Sequence, residues 1–335
     1  MKPTVYVARE IPEAGIKILE ECCEVRYRKE MPPPSREELL NAVKDVDAIY
    51  CTLSEKIDRE LIDSAPRLRV VGTMSVGVDH IDVDYATSKG IYVVHTPGVL
   101  TDTTADFAWA LLMATARRVV EADKMVRSGG WRIQWAPTMM LGHDVHGKTL
   151  GIIGLGRIGL AVAKRARGFD MKVIYYDVIR RRDVEESLGI EYVELDELLR
   201  RSDFVSIHVP LTPQTRKLIG ERELKLMKPT AILINTSRGP VVDEAVLARA
   251  LKERWIAAAG LDVFEKEPLP MDSPLLELDN VVLTPHIASA SYDTRARMAE
   301  LAALGIVKVL KGEEPENLFN KDVVKVRPLE QVKMI

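Results

Sequence analysis

The chain is poor in cysteine, in amide side chains and in long apolar runs, and each shortage excludes something. Three cysteines, Cys22, Cys23 and Cys51, build no disulfide framework, and no Cys or His spacing matches a metal site, so no metal is expected. No stretch approaches the ~20 uncharged apolar residues of a membrane span. The opening MKPTVYVARE lacks the apolar run and small-residue cleavage site of a secretory leader. Neither sign of charge dominates, since the formal net charge is -3, which gives nucleic acid no basis for binding. Glutamine occurs only at 134, 214 and 331 and asparagine only at 41, 235, 280, 317 and 320, and with 29% charged residues this composition leans towards heat adaptation. A reducing, cytoplasmic setting is the expectation.

What is present is a chain of 335 residues, 47% hydrophobic, long enough for two cores. Short β-branched runs alternate with amphipathic segments, the pattern of an α/β protein with parallel sheets. Strands are expected at 4–8, 46–51, 69–72 and 91–95 among about five in a first series. Helices are expected at 13–22, 35–43, 58–65 and 82–88, with Ser35 and Glu38 as a capping box and Asp58 and Asp82 as N-caps. One long helix is expected over 101–128, ended by Gly129-Gly130, followed by an irregular stretch to 146. A second series then offers six strands, at 149–153, 172–176, 204–209, 231–235, 258–261 and 281–284. A last helix at 295–310 has no strand after it, so it can return to the first domain, and a polar tail follows. Two doubly wound parallel-sheet domains result: a Rossmann domain and a smaller flavodoxin-like one.

The surest motif is Gly154-Leu155-Gly156-Arg157-Ile158-Gly159, which joins a buried-strand run to an alanine-rich helix. Gly154 permits a tight turn, Gly156 admits a pyrophosphate against backbone, and Gly159 lets helix and strand pack closely. The helix N-terminus offers unpaired N–H groups to phosphate, and Arg157 adds a cation there. Asp177, 18 positions after Gly159, stands where an acid meets the adenosine ribose hydroxyls and repels a 2′-phosphate, so NADH is preferred and NADPH is possible. Arg180, Arg181 and Arg182 either accommodate that phosphate or open a solvated helix.

Open parallel sheets bind ligands beyond the carboxyl ends of their strands. In the second series these ends carry Asp177, His208 with Pro210, Asn235 to Arg238, Asp262 and His286. Hydride transfer to a 2-keto acid needs a cation for the carboxylate and a proton donor near neutrality. His80, His95, His143 and His146 lie outside these ends, and His208 reads as packed, so His286 is the expected general acid/base. Arg238 supplies the cation. Glu267 is the carboxylate that raises the pKa of the imidazole.

On these motifs the chain resembles the D-isomer-specific 2-hydroxyacid dehydrogenases, from about residue 5 to 320: GLGRIG at 154–159, NTSRGPVVDEAVLARAL around Arg238, AAGLDVFEKEP with Glu267 and TPHIAS with His286. The resemblance implies that Arg238 polarises a keto acid, that Glu267 tunes His286, that Asp262 lies near the nicotinamide and Thr104 near the cofactor. Its full expected cofactor set is Thr104, residues 154–159, Asp177, Val209, Pro210, Thr236, Ser237, Arg238, Asp262, His286 and Ala288. It implies a discontinuous substrate domain, residues 1–100 and 288–335, around an NAD domain, 101–287, and a homodimer held by an arm near 118–147. Residues 73–82, 96–118 and 267–280 are most similar to glyoxylate/hydroxypyruvate reductases, which implies glyoxylate and hydroxypyruvate as substrates. There Val76-Gly77 offers N–H groups to the substrate carboxylate in a nest-like turn, and Leu53 and Ser54 line the other side. Trp135 resembles a tryptophan lent across the dimer to the neighbouring site, or else packs in the arm. Several such reductases that prefer NADPH lack an acid at the place of Asp177, so their cofactor is not carried over. The alternatives are a 3-phosphoglycerate dehydrogenase, for which His80 and Arg132 are the candidate phosphate ligands, and an NAD-sensing corepressor-like binding protein.

Overall fold

In the computed structural model, which describes residues 2–335, the first β-branched run is a buried strand and strand then alternates with helix. The order is β1 (Thr4–Val7), α1 (Glu13–Cys22), β2 (Glu24–Tyr27), α2 (Arg36–Ala42), β3 (Ala48–Cys51), α3 (Arg59–Asp63), β4 (Val70–Thr73), α4 (Val83–Ser88) and β5 (Tyr92–Val94). The five strands are all parallel in the order β2-β1-β3-β4-β5, the flavodoxin-like arrangement. Ser35 and Glu38 form the capping box, and Asp58 and Asp82 accept from the N–H groups of Leu61 and Tyr85. Strand β2 carries no apolar run: its residues alternate exposed and half-buried at a sheet edge, so its sequence gives little to read.

The next segment departs from expectation. In place of one helix over 101–128 there are two, α5 (Thr101–Ala116) and α6 (Val119–Arg127). Arg118 stands between them with φ 56, its guanidinium bonded to Glu121 and to the Leu141 carbonyl. No helix-breaking residue type marks the place; a distant segment meets the end of the first helix, His143 N–H donating to the Ala116 carbonyl at 2.8 Å. Gly129, with φ 72, follows the second helix.

The second sheet is built from β6 (Thr149–Ile153), α7 (Arg157–Ala166), β7 (Lys172–Tyr176), α8 (Arg182–Leu188), β8 (Glu191–Tyr192), α9 (Leu195–Arg201), β9 (Phe204–Ile207), α10 (Glu221–Leu226), β10 (Ile232–Asn235), α11 (Glu244–Lys252), β11 (Ala258–Leu261) and β12 (Val281–Leu283). Its parallel order is β12-β11-β10-β9-β6-β7-β8. It has seven strands against six expected, because two-residue β8 at the edge is too short to show a pattern. The strand order reverses beside β6, which lies between β9 and β7, and dinucleotides bind at such a switch point. Helix α5 packs on β10 and β11, and the Trp109 ring stacks on Phe169 at 4.7 Å.

Helix α12 (Tyr292–Leu310), capped by Ser291, packs on α1, β3, β4 and β5. The segment after it is more than a polar tail. Asn320 accepts from Val93 N–H and donates to the Ile91 carbonyl, and Phe319 N–H donates to the Val93 carbonyl, so the segment closes the open edge of β5. Short helices α13 (Val323–Val326) and α14 (Leu329–Val332) follow. By contacts the chain forms two compact units, residues up to 100 with 290–335, and 101–289. Among the described residues no helix is long and apolar enough to cross a membrane.

Candidate active site

Strand β6 runs into Gly154, whose φ of 93 is open to glycine, and a Cβ there would stand 2.7 Å from the His208 carbonyl oxygen. The turn therefore passes hard against the end of β9. A Cβ at Gly159 would stand 2.0 Å from the Gly154 carbonyl oxygen, so α7 sits directly on the strand that feeds it. At Gly156 a Cβ would meet nothing within 4 Å, and no side chain caps α7. Open space over a turn and uncapped N–H groups fit the pyrophosphate of a dinucleotide. Thr236 Oγ1 is buried with no hydrogen-bond partner among the described residues, a second polar group suited to a bound cofactor. Val209 flanks the turn, a side-chain methyl lying 2.8 Å from the place of a Gly154 Cβ. Pro210 is exposed, and Thr104 is buried within α5.

Asp177 holds the loop from the other side. It accepts from Leu155 N–H at 2.7 Å and from Ile179 N–H at 3.0 Å. The arginine run beyond it is engaged. Arg180 makes two 2.8 Å bonds to Glu185 and lies over the Tyr192 ring, and Arg181 pairs with Asp183. Arg180 and then the Tyr175 hydroxyl hold the Glu185 carboxyl down to about 2. Arg182 is the first residue of α8, so the run is a helix start whose first two cations have acidic partners.

Charged and titratable side chains gather after the ends of β10, β11 and β12. Asn235 ends β10 and folds the turn after it, accepting from Ser237 N–H and hydroxyl and donating to the Arg238 carbonyl. Gly239 then allows a close approach, because a Cβ there would fall 1.9 Å from the Phe264 carbonyl carbon. That brings the Arg238 turn against the segment leading to Glu267. Glu267 Oε1 accepts from Phe264 N–H at 3.1 Å, and Oε2 accepts from His286 Nδ1 at 2.7 Å. Partial burial pushes the Glu267 carboxyl up, but the His286 bond and charge, the Phe264 N–H and the Arg238 cation together hold it below its usual range. An ionised carboxylate only accepts, so the Nδ1 of His286 carries the proton.

His286 itself has φ 55, and Asp262 explains how a non-glycine residue is kept there. The fully buried Asp262 carboxylate accepts from the Thr284 hydroxyl at 2.7 Å, Ile287 N–H at 2.9 Å and Ala288 N–H at 2.8 Å, while its carbonyl accepts from His286 N–H. Burial pushes the Asp262 carboxyl above its ordinary value, against the pull of these donors. The structure thus joins His286, Glu267 and Asp262 directly and places the Arg238 charge on Glu267. His208, expected to be packed, has its imidazole bonded to Ser206 Oγ at 2.7 Å, and burial pushes its pKa down to about 4.

In the first sheet the expected substrate residues stand after neighbouring strands, Leu53 and Ser54 after β3 and Val76-Gly77 after β4. Glu55, which the sequence did not single out, shapes the first turn: its buried carboxylate accepts from Thr52 N–H at 2.6 Å and Thr52 hydroxyl at 2.9 Å. Ser54 Oγ accepts from Arg9. Ser75 was also missed, and its hydroxyl donates to the Gly77 carbonyl at 2.7 Å. Neither Val76 nor Gly77 has positive φ, so the 76–77 turn has no left-handed residue. The available signal was the strand-end rule, which applies to the first sheet as it does to the second. Trp135 is 82% exposed, amid exposed Val126, Trp131, Ile133 and Leu141. His80, weighed as a phosphate ligand, has its Nε2 3.0 Å from Thr73 Oγ1 inside the unit.

Comparison with known proteins completes the assignment. Residues 109–288 match the NAD binding domain of the D-isomer specific 2-hydroxyacid dehydrogenases. A glyoxylate reductase of Korarchaeum cryptofilum is 60% identical over 98% of this chain and 99% of its own length. One from Thermofilum pendens is 57% identical over 100% of this chain and 99% of its own. The crystal structure of an NADPH-dependent glyoxylate/hydroxypyruvate reductase of Sinorhizobium meliloti, in complex with NADP and malonate, superposes with a TM-score of 0.83 at 33% identity, covering 96% of this chain and 98% of that one. A glycine loop at the switch point and a histidine bonded to a carboxylate at the same sheet edge therefore belong to a known plan: the chain is an oxidoreductase of the D-isomer specific 2-hydroxyacid dehydrogenase family.

Proposed function

We propose that this enzyme reduces glyoxylate, and hydroxypyruvate beside it, to the 2-hydroxy acid with NADH. The observation that carries the reading is the 2.7 Å bond from His286 Nδ1 to Glu267, which fixes the ring and turns Nε2 to the chemistry. NAD(H), when bound, supplies the hydride. Arg238 binds the keto acid through its guanidinium fork. His286 gives its Nε2 proton to the carbonyl oxygen as the alcohol forms, and takes it back in the reverse direction. Asp262 and Glu267 hold His286, while the N–H groups of Val76 and Gly77 receive the substrate carboxylate with Leu53 and Ser54 beside them. Two relatives over 55% identical that carry the name glyoxylate reductase support the substrate.

NADH is favoured because Asp177 puts a carboxylate where a 2′-phosphate would fall, with Arg180 and Arg181 already paired. On this reading residues 1–100 and 288–335 form the substrate domain and 101–287 the NAD domain. A second copy of the chain covers the arm near 118–147, whose apolar side chains are exposed, and receives Trp135 at its own site. Three unpaired cysteines agree with a cytoplasmic setting.

The test is a kcat/KM panel of glyoxylate, hydroxypyruvate, pyruvate and 3-phosphohydroxypyruvate, each with NADH and NADPH. Glyoxylate with NADH should lead. A lead for the phosphorylated acid overturns the substrate, and a lead for NADPH overturns the cofactor. Binding of NADH without turnover of any keto acid would turn the reading to a sensor. Sedimentation equilibrium checks the dimer, which full activity as a monomer would exclude.

A further inference from the structure

We propose that His95 is the positioning residue of the turn 75–77, the hydrogen-bond donor that keeps its N–H groups turned to the substrate; this rests on the reading of Val76-Gly77 as the carboxylate site. Three successive carbonyls of the turn are each taken by a donor from within the same unit. Ser75 O accepts from Thr96 N–H at 2.8 Å, Val76 O lies 2.8 Å from His95 Nδ1, and Gly77 O accepts from Ser75 Oγ at 2.7 Å. A carbonyl only accepts, so His95 Nδ1 carries a proton. The N–H groups of Val76 and Gly77 have no acceptor among the described residues, and both residues are part-exposed. Two adjacent N–H groups without acceptors beside pinned carbonyls make an anion site out of backbone alone.

His95 can do this because the chain holds it on several sides. It follows the last residue of β5, at the carboxyl edge that also carries the turns after β3 and β4. Its N–H donates to the Asn317 carbonyl at 3.2 Å, and its own carbonyl accepts from Asn317 Nδ2 at 2.7 Å. Asn317 also donates to the Leu301 carbonyl in α12, and the Phe319 ring stands edge-on to the imidazole at 5.0 Å. Without the Nδ1 donor, the Val76 peptide can rotate and bring its oxygen towards the anion in place of its N–H.

The experiment compares His95→Ala with His95→Asn, whose Nδ2 can stand close to the place of the imidazole Nδ1. In His95→Ala the KM for glyoxylate and the inhibition constant of oxalate should rise about tenfold, the cost of one lost buried donor. The kcat should stay within about twofold, and NADH affinity, read by fluorescence titration without substrate, should not change. His95→Asn should recover most of the loss. An unchanged KM in His95→Ala, a parallel loss of NADH affinity, or an Asn variant no better than Ala overturns the assignment. Ser75→Ala, which frees only the Gly77 carbonyl, should raise KM by a smaller factor and serves if the His95 variants do not fold. Val76→Pro deletes an N–H and separates the two levels. If it leaves KM unchanged, the carboxylate site itself is misplaced; if it raises KM while His95→Ala does not, only the role of His95 falls.

Discussion

The two sheets present their strand ends to chemistry in different ways. The seven-stranded sheet offers side chains, with Arg238, Glu267 and His286 following β10, β11 and β12. The five-stranded sheet offers backbone, with N–H groups after β4 exposed by donors that hold the neighbouring carbonyls. A reacting centre needs groups that titrate or carry charge, whereas a carboxylate can be held by peptide dipoles alone. On the proposed reading, residue identity is decisive in one sheet and shape in the other.

The strongest way to break this contrast is to remove the proton donor. His286→Ala should lower kcat by about 10²–10⁴, and turnover of glyoxylate near wild type would end the case for side-chain chemistry in the second sheet. Glu267→Gln keeps the shape and loses the charge, and kcat should fall by roughly 10². Because the Glu267 carboxyl is held below its usual range, its favourable charge is present above the ordinary carboxylate pKa and is lost only as pH falls through the lowered folded value. The acid limb of the pH–rate profile should therefore not show a carboxylate titrating in the normal range, and the Gln variant should leave the shape of that limb unchanged.

His208 sharpens the contrast from the side of stability. Its imidazole is neutral in the fold, with a pKa pushed down from 6.5 to about 4. The unfolded chain then binds more protons between those values, so stability should fall as pH drops from 6.5 to 4, by about 1 kcal/mol per unit. Chemical denaturation across that range should show the slope, and His208→Gln should flatten it. Asp177→Ala should shift the NADH to NADPH ratio of kcat/KM by about tenfold towards NADPH, since it removes repulsion while Arg180 stays with Glu185. The smallest effect belongs to the first sheet: Val76→Ala keeps the N–H and should change kcat/KM by less than about threefold. A large loss there would show that the valine side chain, and not its peptide, matters.

The same contrast governs what could be read in advance. The glycine loop, Asp177, Arg238, Glu267 and His286 were visible because each is a residue type that a known task demands at a strand end. The alternation of elements was visible because burial imposes it. Strands β2 and β8 were not, being edge pieces of four and two residues with charged or half-exposed faces. The break at Arg118 was hidden because no glycine or proline stands there; the contact at the helix end comes from far along the chain, where Gly142 passes close and His143 N–H donates to the Ala116 carbonyl. Asp262 was legible as a site residue, but its bonds to Thr284, Ile287 and Ala288 across more than 20 positions were not. His95 directly follows β5, a strand end of the first sheet, and no charged partner adjacent in sequence marks it.

The return of α12 and the 317–320 segment to the first sheet has a bearing on birth order at the ribosome. The first hundred residues emerge with one face of β4 and the edge of β5 bare, because the helix and asparagines that cover them are encoded beyond residue 290. At about 5–20 residues per second, residues 101–289 take on the order of ten to forty seconds to follow. In that interval the nucleotide-binding unit, contiguous in sequence, can fold by itself. The first hundred residues have to wait for the last segment, and a chain truncated near residue 290 should hold a protease-resistant second unit beside a first that is still cut.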